Sequence, residues 1–438
     1  MHTTLQPPRF LYYLIDMYRM FITVTCIFIC NNLAAQYCID DRFDVSLFDS
    51  TEIEILSDIP YGEAINFEGD LQTLLLDIYH PVQELDELEK KPLIVFVHGG
   101  GLTGGGKTSE GAIILGKYFS ERGFVYSSID YRTGWDQADN CQGDTVSLQL
   151  ALYRALQDTK AAIRFLKEYA DEYNIDTNYI FLAGNSVGST LILYSAYARQ
   201  ENFPQYLYEA LGSLDSSGND LFHHKINIAG IIAKAAGVQL MDVFNNDIIP
   251  VQFFHGTCDH IVPYMEGSLY SCDAPFQYPH YNGSWNMANY LKERSVPYQL
   301  YTNEGEDHSA VEDDTLTLYS ANFLKTILCD ELDLETRYYR FNNGGCVTSS
   351  REEFSVTSYP NPFQDIINLT VKGGVNDNIN FELFTYTGQK VFSDEQSFSP
   401  PQTNYTLSLE GRTFSNGFYL LRMSGEGIEK TISLYMQK

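Results

Sequence analysis

The stretch Ala183–Ser189, which reads AGNSVGS, decides the fold, because it places Ser186 between two glycines at a change of secondary structure. The apolar run before it, YIFLAG from Tyr179, is typical of a buried strand, and the following STLILYSAYA is typical of a helix. A sharp strand-to-helix turn needs small neighbours, and it lifts the serine hydroxyl above the sheet, over the helix N-terminus. We therefore predict that Ser186 is a nucleophile and not merely a small residue in a glycine-rich bend.

A serine hydroxyl at neutral pH needs a histidine base, and the histidine needs a carboxylate to orient it. The runs VQFFHG and YQLYT predict two further strands, and the loops after them contain Asp259 and His308, in that order. Successive strands of a parallel sheet end at the same edge, so both side chains are expected near Ser186. The sequence thus predicts a Ser-Asp-His triad.

Other acids and histidines fit this arrangement less well. Asp273 is a rival to Asp259 as the acid, and His280 is a rival base, although no strand end leads into it. We interpret His255 and His260 as structural, because they lie too close to Asp259 in the chain to reach across to a separate loop.

Strands alternate with helices from about residue 50 to residue 330. The continuous apolar run at Pro92–Gly101, PLIVFVHGGG, is typical of a buried parallel strand that meets a glycine loop. Apolar positions that recur at helical spacing predict an amphipathic helix at Leu148–Tyr169. The alternation predicts an α/β fold with a mostly parallel sheet and helices on both faces. The glycines of HGGG either form a simple turn or leave backbone N–H groups free to approach a ligand.

Length and composition limit the function. A chain of 438 residues is too long for one ordinary domain, so we expect two. The formal net charge of −29 argues against binding to nucleic acid or to an anionic membrane surface, because both require basic patches. We interpret the acidity as a feature that keeps the protein soluble.

The N-terminus has the features of a secretory signal peptide. Arg19 precedes the apolar run Phe21–Cys30, which is too short to span a bilayer, and small residues follow it. We predict a signal peptide over residues 1–35, with Met17 or Met20 as alternative starts, and no transmembrane segment. The protein is therefore expected to pass through the periplasm and to be secreted or attached to the cell surface.

The cysteines agree with export. Of the eight cysteines, two lie in the predicted signal peptide, and the even number that remains predicts disulfides in an oxidising compartment. Several pairings are open, and we predict Cys258 with Cys272 and Cys329 with Cys346 because these pairs close the shortest loops. No cysteine or histidine cluster has the spacing of a zinc site, so neither a metal nor another cofactor is expected.

The pattern changes after residue 333. Residues 334–353 are polar and contain Gly and Ser, which predicts a linker. Short alternating runs such as IINLTV and GFYLLRMSG follow, separated by turn signals, and they predict a small β-sandwich over residues 354–438. The catalytic domain is accordingly expected to span residues 36–333.

Residues of roughly 60 to 330 resemble the α/β-hydrolases, within the HGGG-bearing esterase and lipase group that includes feruloyl- and acetyl-esterase-like proteins. The resemblance rests on the motifs FVHGGGLTGG, DTKAAIRFLKEYADEYNID, FLAGNSVG, HGTCDHIVPY and EGEDHS. It implies ester hydrolysis through an acyl-enzyme, with Ser186 as nucleophile, Asp259 as acid and His308 as base.

The same resemblance implies an oxyanion hole, which is a set of N–H groups that stabilise the negative charge on the substrate oxygen. The donors would be the backbone amides of Gly100, Gly101 and Val187. Many relatives have alanine where Val187 stands and an acidic residue or histidine where Asn185 stands, so the shape of the pocket near Val187 differs from theirs.

The C-terminal region resembles the sorting domain of the type IX secretion system found in Bacteroidota. The resemblance rests on YPNPF, INLTV, FELFTYTGQKVF, GFYLLRM and KTISLYMQK over the last eighty-odd residues. It implies the type IX secretion machinery as a partner. A carbohydrate-binding or immunoglobulin-like accessory module is the alternative interpretation.

Two classes of function remain open from the sequence. The first is a secreted serine esterase that acts on a small-molecule or polysaccharide-linked ester. The second is a non-catalytic surface protein, an adhesin or binder on a hydrolase scaffold, although such a scaffold is expected to lose at least one triad or HGGG residue and none is missing. A serine peptidase is a third alternative, disfavoured because no propeller or other gating domain precedes the fold.

Overall fold

The computed structural model describes most of the chain from residue 36 onward. The described residues are 36–38, 42–137, 141–239, 241–245, 249–272, 278–308, 313–341, 355–359, 363–372, 377–385, 390–398, 404–415, 417–425 and 428–436. The predicted signal peptide lies outside the described residues and stays a prediction.

Twelve strands precede the C-terminal region. They are β1 (Ile53–Ile65), β2 (Leu71–Pro81), β3 (Lys91–Val97), β4 (Val125–Ile129), β5 (Ile175–Asn185), β6 (Gly230–Lys234), β7 (Gly237–Val238), β8 (Val251–Gly256), β9 (Glu266–Ser268), β10 (His280–Gly283), β11 (Tyr298–Glu304) and β12 (Glu335–Phe341). Strands β7, β10 and β9 form a small antiparallel sheet, and the other nine form the main sheet.

The main sheet has the strand order β1-β2-β4-β3-β5-β6-β8-β11-β12. The pairs β1–β2 and β2–β4 are antiparallel, and every neighbouring pair from β4 to β12 is parallel. This confirms the predicted mostly parallel sheet. Because parallel strands share one direction, the loops after β3, β5, β8 and β11 all leave from the same side, which we call the carboxyl edge.

Helices cover both faces of the main sheet, as predicted. They are α1 (Glu110–Glu121), α2 (Thr145–Glu168), α3 (Val187–Tyr197), α4 (Gln205–Leu211), α5 (Ser284–Glu293) and α6 (Asp313–Leu328). Buried side chains of α2, α3, α4 and α5 share one hydrophobic cluster with the sheet, and those of α1 and α6 share the other.

Strand β3 shows why its sequence is apolar throughout. Leu93 and Val97 face the cluster that contains α2 and α3, whereas Ile94 and Phe96 face the cluster that contains α1 and α6. All four side chains are buried. A strand covered on both faces needs apolar residues at every position, which is the pattern that predicted it.

The predicted long helix is present as α2, but it begins at Thr145 rather than Leu148. The cause is Asp144, whose side chain accepts hydrogen bonds from the backbone N–H groups of Val146 and Ser147. An N-cap of this kind satisfies helix donors that otherwise lack partners, so the helix extends to the cap and past the first apolar residue.

The C-terminal region is a small all-β unit. Its strands are β13 (Ser355–Tyr359), β14 (Ile366–Lys372), β15 (Asp377–Thr385), β16 (Lys390–Phe398), β17 (Asn404–Ser408), β18 (Gly417–Gly425) and β19 (Ile428–Met436). They form two antiparallel sheets, β13-β14-β17 and β16-β15-β18-β19. Buried residues of both sheets, such as Ile367 and Phe381, share one hydrophobic core, in agreement with the predicted sandwich.

The predicted linker of residues 334–353 is wrong at its start. Strand β12 lies within it and pairs in parallel with β11, from Tyr298 opposite Glu335 to Glu304 opposite Phe341. This strand lies at the edge of the main sheet, where charged side chains are tolerated, so it lacks the apolar pattern of the central strands. The catalytic unit therefore continues beyond residue 333. Residues 342–353 lie outside the described residues.

Both predicted disulfides are wrong. Cys38 is bonded to Cys329, and Cys141 is bonded to Cys272. Cys258 is disulfide-bonded as well. The rule of the shortest loop failed because the fold, not the distance along the chain, brings the thiols together: the first pair is 291 residues apart in sequence. The prediction that disulfides form is confirmed.

Strand β12 provides a test of the corrected boundary. A chain of residues 36–333 would lose the stacking of the Tyr338 ring on Tyr301, at 4.3 Å between centroids, and the hydrogen bond from Arg337 to Tyr298 Oη. We expect its melting temperature to be about 3 °C below that of residues 36–353, as a loss of roughly 2 kcal/mol would give in a domain of about 300 residues. Calorimetry of both chains measures this, and equal melting temperatures would restore the boundary at residue 333.

Candidate active site

Ser186 stands on a strained turn. Strand β5 ends at Asn185 and helix α3 begins at Val187, so a single residue makes the connection. Ser186 has φ 56° and ψ −127°, a conformation that residues with a Cβ rarely adopt and that costs on the order of 1–3 kcal/mol. Such strain persists only where the surroundings enforce it, and it is found at functional sites. The turn at Ser186 is therefore a strained conformation that its surroundings enforce, and it is not an ordinary bend.

Two glycines let this turn pack directly on the loop after β3. A Cβ on Gly188 would lie 2.0 Å from the carbonyl oxygen of Val97. A Cβ on Gly99 would lie 3.2 Å from Cβ of Ser186. Since neither position can carry a side chain without moving the backbone, glycine is required at Gly188 and favoured at Gly99, and the HGGG loop lies against the turn.

The three predicted residues meet at the carboxyl edge. The hydroxyl of Ser186 lies 2.8 Å from Nε2 of His308, and Nδ1 of His308 lies 2.7 Å from Oδ2 of Asp259. A carboxylate can only accept, so Nδ1 carries the proton and Nε2 is free to accept the hydroxyl proton of Ser186. The three residues that were predicted from their order in the sequence are therefore in contact in the structure. Their catalytic roles stay predictions.

Asp259 is held in place from both sides. Its Oδ1 accepts hydrogen bonds of 2.9 Å from the backbone amides of Ile261 and Val262, and its Oδ2 accepts from His308 and His255. Burial alone would raise the pKa of Asp259, but the hydrogen bonds and charges of the two histidines outweigh burial and hold the pKa well below its usual range. The carboxyl is therefore ionised at neutral pH, the state needed to orient His308.

The remaining histidines have other partners. His255 is fully buried; its Nε2 lies 3.1 Å from Oδ2 of Asp259 and its Nδ1 lies 2.8 Å from Ser284 Oγ. It therefore supports the acid directly, a contact that sequence reasoning missed because a residue four positions away was taken to be too close. His260 is exposed and contacts Asp307, and His280 is exposed on β10. The rival acid Asp273 lies outside the described residues.

The three predicted oxyanion donors lie around the turn. Gly101 and Val187 line the same cavity as Ser186, and Gly100 lines a second cavity. None of these three amides donates a hydrogen bond to another described residue. Free N–H groups beside a nucleophile are what an oxyanion hole requires.

Tyr131 fixes the HGGG loop and was not anticipated from the sequence. Its buried hydroxyl donates to the carbonyl oxygens of His98 and Gly99, at 3.0 and 3.3 Å. Its ring stacks on that of His98, with 4.2 Å between centroids and 13° between planes. Because these carbonyls point to Tyr131, the following amides are held in one orientation. The only sequence signal was the position of Tyr131 just after β4.

Two cavities flank the turn at Ser186. The smaller, about 40 Å³, is lined by Ser186, Val187 and mostly apolar side chains. The larger, about 370 Å³, lies on the α1 and α6 side and is lined by Phe96, Asn185 and the backbone of the HGGG loop. No triad residue lines the larger cavity, so the smaller one is the candidate binding site for a reacting group.

A group of three exposed or half-exposed side chains elsewhere could hold a metal ion. Glu168, His223 and His224 offer ligand atoms within 4.8 Å of one another, at the C-terminal end of α2. None of them contacts the triad. Among the described residues around Ser186, no comparable group is found.

Two parts of the chain match known protein families. Residues 76–248 match the BD-FAE family, and residues 357–436 match the secretion system C-terminal sorting domain. The chain carries a BD-FAE domain and a sorting domain. This confirms both predicted resemblances, to an α/β-hydrolase and to a secretion sorting domain. The BD-FAE match includes Ser186 and the HGGG loop but ends before Asp259 and His308.

Individual relatives are similar over part of the chain. Esterase LipC of Mycobacterium tuberculosis is 29% identical over 144 residues, which is 31% of this chain and 32% of LipC. The probable isoprenylcysteine alpha-carbonyl methylesterase ICME of Oryza sativa is 33% identical over 121 residues, which is 28% of this chain and 25% of ICME. The chain therefore spans a third or less of the length of these relatives.

Among solved structures, a truncated form of a carbohydrate esterase from gut microbiota aligns with 65% of this chain and 99% of its own. The sequence identity is 15% and the TM-score is 0.47. The fold of the chain is established by its own sheet order and not by this likeness.

The sorting domain marks the protein for secretion and attachment to the cell surface, which confirms the expected location. Among the described helices, none has the length and apolar character needed to cross a bilayer.

The identity of the acid can be tested through the reactivity of Ser186. A fluorophosphonate should label Ser186 once, and Asp259→Asn should slow labelling by a factor on the order of 10³ to 10⁴, because His308 would lose the partner that fixes its tautomer. Asp273→Asn serves as the matched control and should label at the wild-type rate. Mass spectrometry of the intact chain follows the reaction, and the opposite ranking of the two variants would move the acid to Asp273.

Proposed function

We propose that the protein is a secreted serine esterase that hydrolyses carboxylic esters through an acyl-enzyme. One observation carries the proposal: a continuous chain of hydrogen bonds runs from the strained Ser186 through His308 to the ionised Asp259. This arrangement raises the nucleophilicity of a hydroxyl, and acyl transfer is the reaction that it serves. The esterase names of the partial relatives support the same class.

The reaction would proceed in two halves. The hydroxyl of Ser186 attacks the ester carbonyl carbon while Nε2 of His308 takes its proton. The C–O bond to the alcohol then breaks, and the alcohol leaves with that proton, so the acyl group remains on Ser186. A water molecule attacks the acyl-enzyme, with His308 as base again, and the acid is released. The proposed chemistry uses only side chains and backbone amides.

The negative charge of the tetrahedral intermediate would be stabilised by the free amides of Gly101 and Val187, with Gly100 as the third proposed donor. Preorganised donors of this kind contribute roughly 10²- to 10³-fold each in kcat. Tyr131 supports the Gly100 amide, because it holds the carbonyl group of Gly99 that precedes this amide in the chain.

The alternatives account for less of this arrangement. A non-catalytic binder has no use for a strained serine, a buried ionised acid and two nearby amides, of Gly101 and Val187, that have no partner among the described residues. The two matched regions of the chain are a BD-FAE domain and a sorting domain, and neither is the gating domain expected of a serine peptidase.

The test of the proposal is the hydrolysis of p-nitrophenyl acetate by the purified protein. We expect Ser186→Ala to lower kcat by a factor on the order of 10⁴ to 10⁶ without changing the circular dichroism spectrum. Ser195→Ala is the matched control, because Ser195 is a buried serine of the same helix whose hydroxyl has no partner among the described residues. A Ser186→Ala protein that kept a tenth of the activity would refute the nucleophile.

The sorting domain is proposed to engage the type IX secretion machinery and to take no part in the chemistry. Deletion of residues 354–438 in the native host should therefore leave active esterase in the periplasm. Fractionation of the cells, followed by esterase assays of periplasm, surface and medium, measures this. If secretion continued and only activity on polymers were lost, the domain would be a binding module instead.

A further inference from the structure

The smaller cavity is lined by Ser186 and by mostly apolar side chains. Leu148 and Leu152 of α2 line it, and both are buried. Trp135, Ile261 from the loop after β8 and Tyr270 just after β9 also line it. The cavity is thus a small apolar recess.

The proton transfer decides which half of an ester would occupy this recess. His308 must give its proton to the leaving oxygen, so the alcohol lies on the His308 side of the scissile bond. His308 does not line the recess, whereas Gly101 and Val187, the proposed partners of the carbonyl oxygen, do. The group that continues from the carbonyl carbon into the recess is therefore the acyl chain.

The volume of the recess limits the length of that chain. At about 40 Å³, the recess offers only a few times the roughly 10–15 Å³ that one water molecule requires, so it favours a short chain. Acetyl, propionyl and butyryl groups place one, two and three carbons beyond the carbonyl. A hexanoyl chain or an aromatic propenoyl group is expected to require displacement of a wall.

The walls are held so that the recess keeps its size. The disulfide of Cys141 with Cys272 joins the segment after Trp135 to the segment after Tyr270. The indole N–H of Trp135 donates to the carbonyl oxygen of Asp144, at 3.1 Å, which anchors that ring to the start of α2. The rings of Trp135 and Tyr270 lie 6.2 Å apart. Because a disulfide, a hydrogen bond and ring packing hold these walls, a longer acyl chain cannot easily displace them.

We propose that this recess is the acyl-binding site and that it restricts the enzyme to esters of acids with four carbons or fewer, with Leu152 as the residue that sets the limit. The inference rests on the proposed esterase function. It predicts that the protein does not hydrolyse hydroxycinnamoyl esters, the substrates expected of the feruloyl-esterase-like members of the HGGG-bearing group. It predicts instead that the protein removes acetyl and similarly short acyl groups.

The first experiment measures kcat/KM of the full-length protein for p-nitrophenyl acetate, propionate, butyrate, hexanoate and octanoate and for methyl ferulate. We expect a fall of at least about tenfold between butyrate and hexanoate, and no measurable turnover of methyl ferulate. A hexanoate value within about threefold of the acetate value, or turnover of methyl ferulate at a comparable rate, would overturn the proposal.

The second experiment lengthens the recess. Leu152→Ala removes side-chain carbons from its lining and should raise the ratio of kcat/KM for hexanoate over acetate by about tenfold or more. Leu156→Ala is the matched control, since Leu156 is buried one turn further along α2 and does not line the recess, and its ratio should equal that of the wild type. An equal ratio in a folded Leu152→Ala protein would show that Leu152 does not set the limit.

If Leu152→Ala fails to fold, Ile261→Ala provides the same test at a half-buried position, where truncation disturbs the core less. The outcomes separate the two levels of inference. A folded wild-type protein that hydrolyses none of these esters would refute the proposed function. Hydrolysis that depends on Ser186 but is insensitive to acyl length would leave that function standing and refute only the acyl limit.

Discussion

The contact on which the catalytic edge depends is between two stretches of backbone. The turn at Ser186 lies against the end of β3 with no side chain between them, since Gly188 meets the carbonyl oxygen of Val97 and Gly99 meets Cβ of Ser186. This approach sets the distance between the hydroxyl and the amides of the HGGG loop. It also enforces the positive φ of Ser186, because the turn has no room to relax towards β3. A side chain at Gly188 would push the turn at Ser186 away from the end of β3 and from the HGGG loop.

The acid and the base depend on a different support. Asp259 and His308 stand on loops, but these loops leave from β8 and β11, which are paired along their whole length. Asp259 is further fixed by two amides of its own loop and by His255, so three of the roughly four acceptor positions of its carboxylate are occupied and the remaining one accepts from His308. His308, with about a fifth of its side chain exposed, is more accessible than Ser186 or Asp259. In the proposed mechanism it is also the residue that exchanges protons with substrate and water.

The sequence predicted those parts of the fold and site that are encoded locally. The apolar pattern of β3 and the glycines around Ser186 are constraints on consecutive residues, and the order of Asp259 and His308 follows from the order of strands. Other features depend on segments that meet only in the folded chain. They are strand β12, the Cys38–Cys329 and Cys141–Cys272 disulfides and the hydrogen bonds of Tyr131. An edge strand of polar and apolar residues, such as β12, lacks the continuous apolar pattern by which a central strand is recognised. A tyrosine after a strand does not show which carbonyl oxygen it will meet, and His255 was misjudged because proximity in sequence was treated as an obstacle to contact.

The bond between Cys38 and Cys329 encloses nearly the whole catalytic unit in one covalent ring of the chain. Every strand of the main sheet except β12 lies inside that ring, as do Ser186, Asp259 and His308. A protease that cuts any single surface loop within the ring opens the chain but does not release a fragment. The two pieces stay joined through the sulfur atoms and can hold the sheet together through their packing. For a secreted protein, a single cleavage within the ring would therefore nick the chain without separating its two pieces.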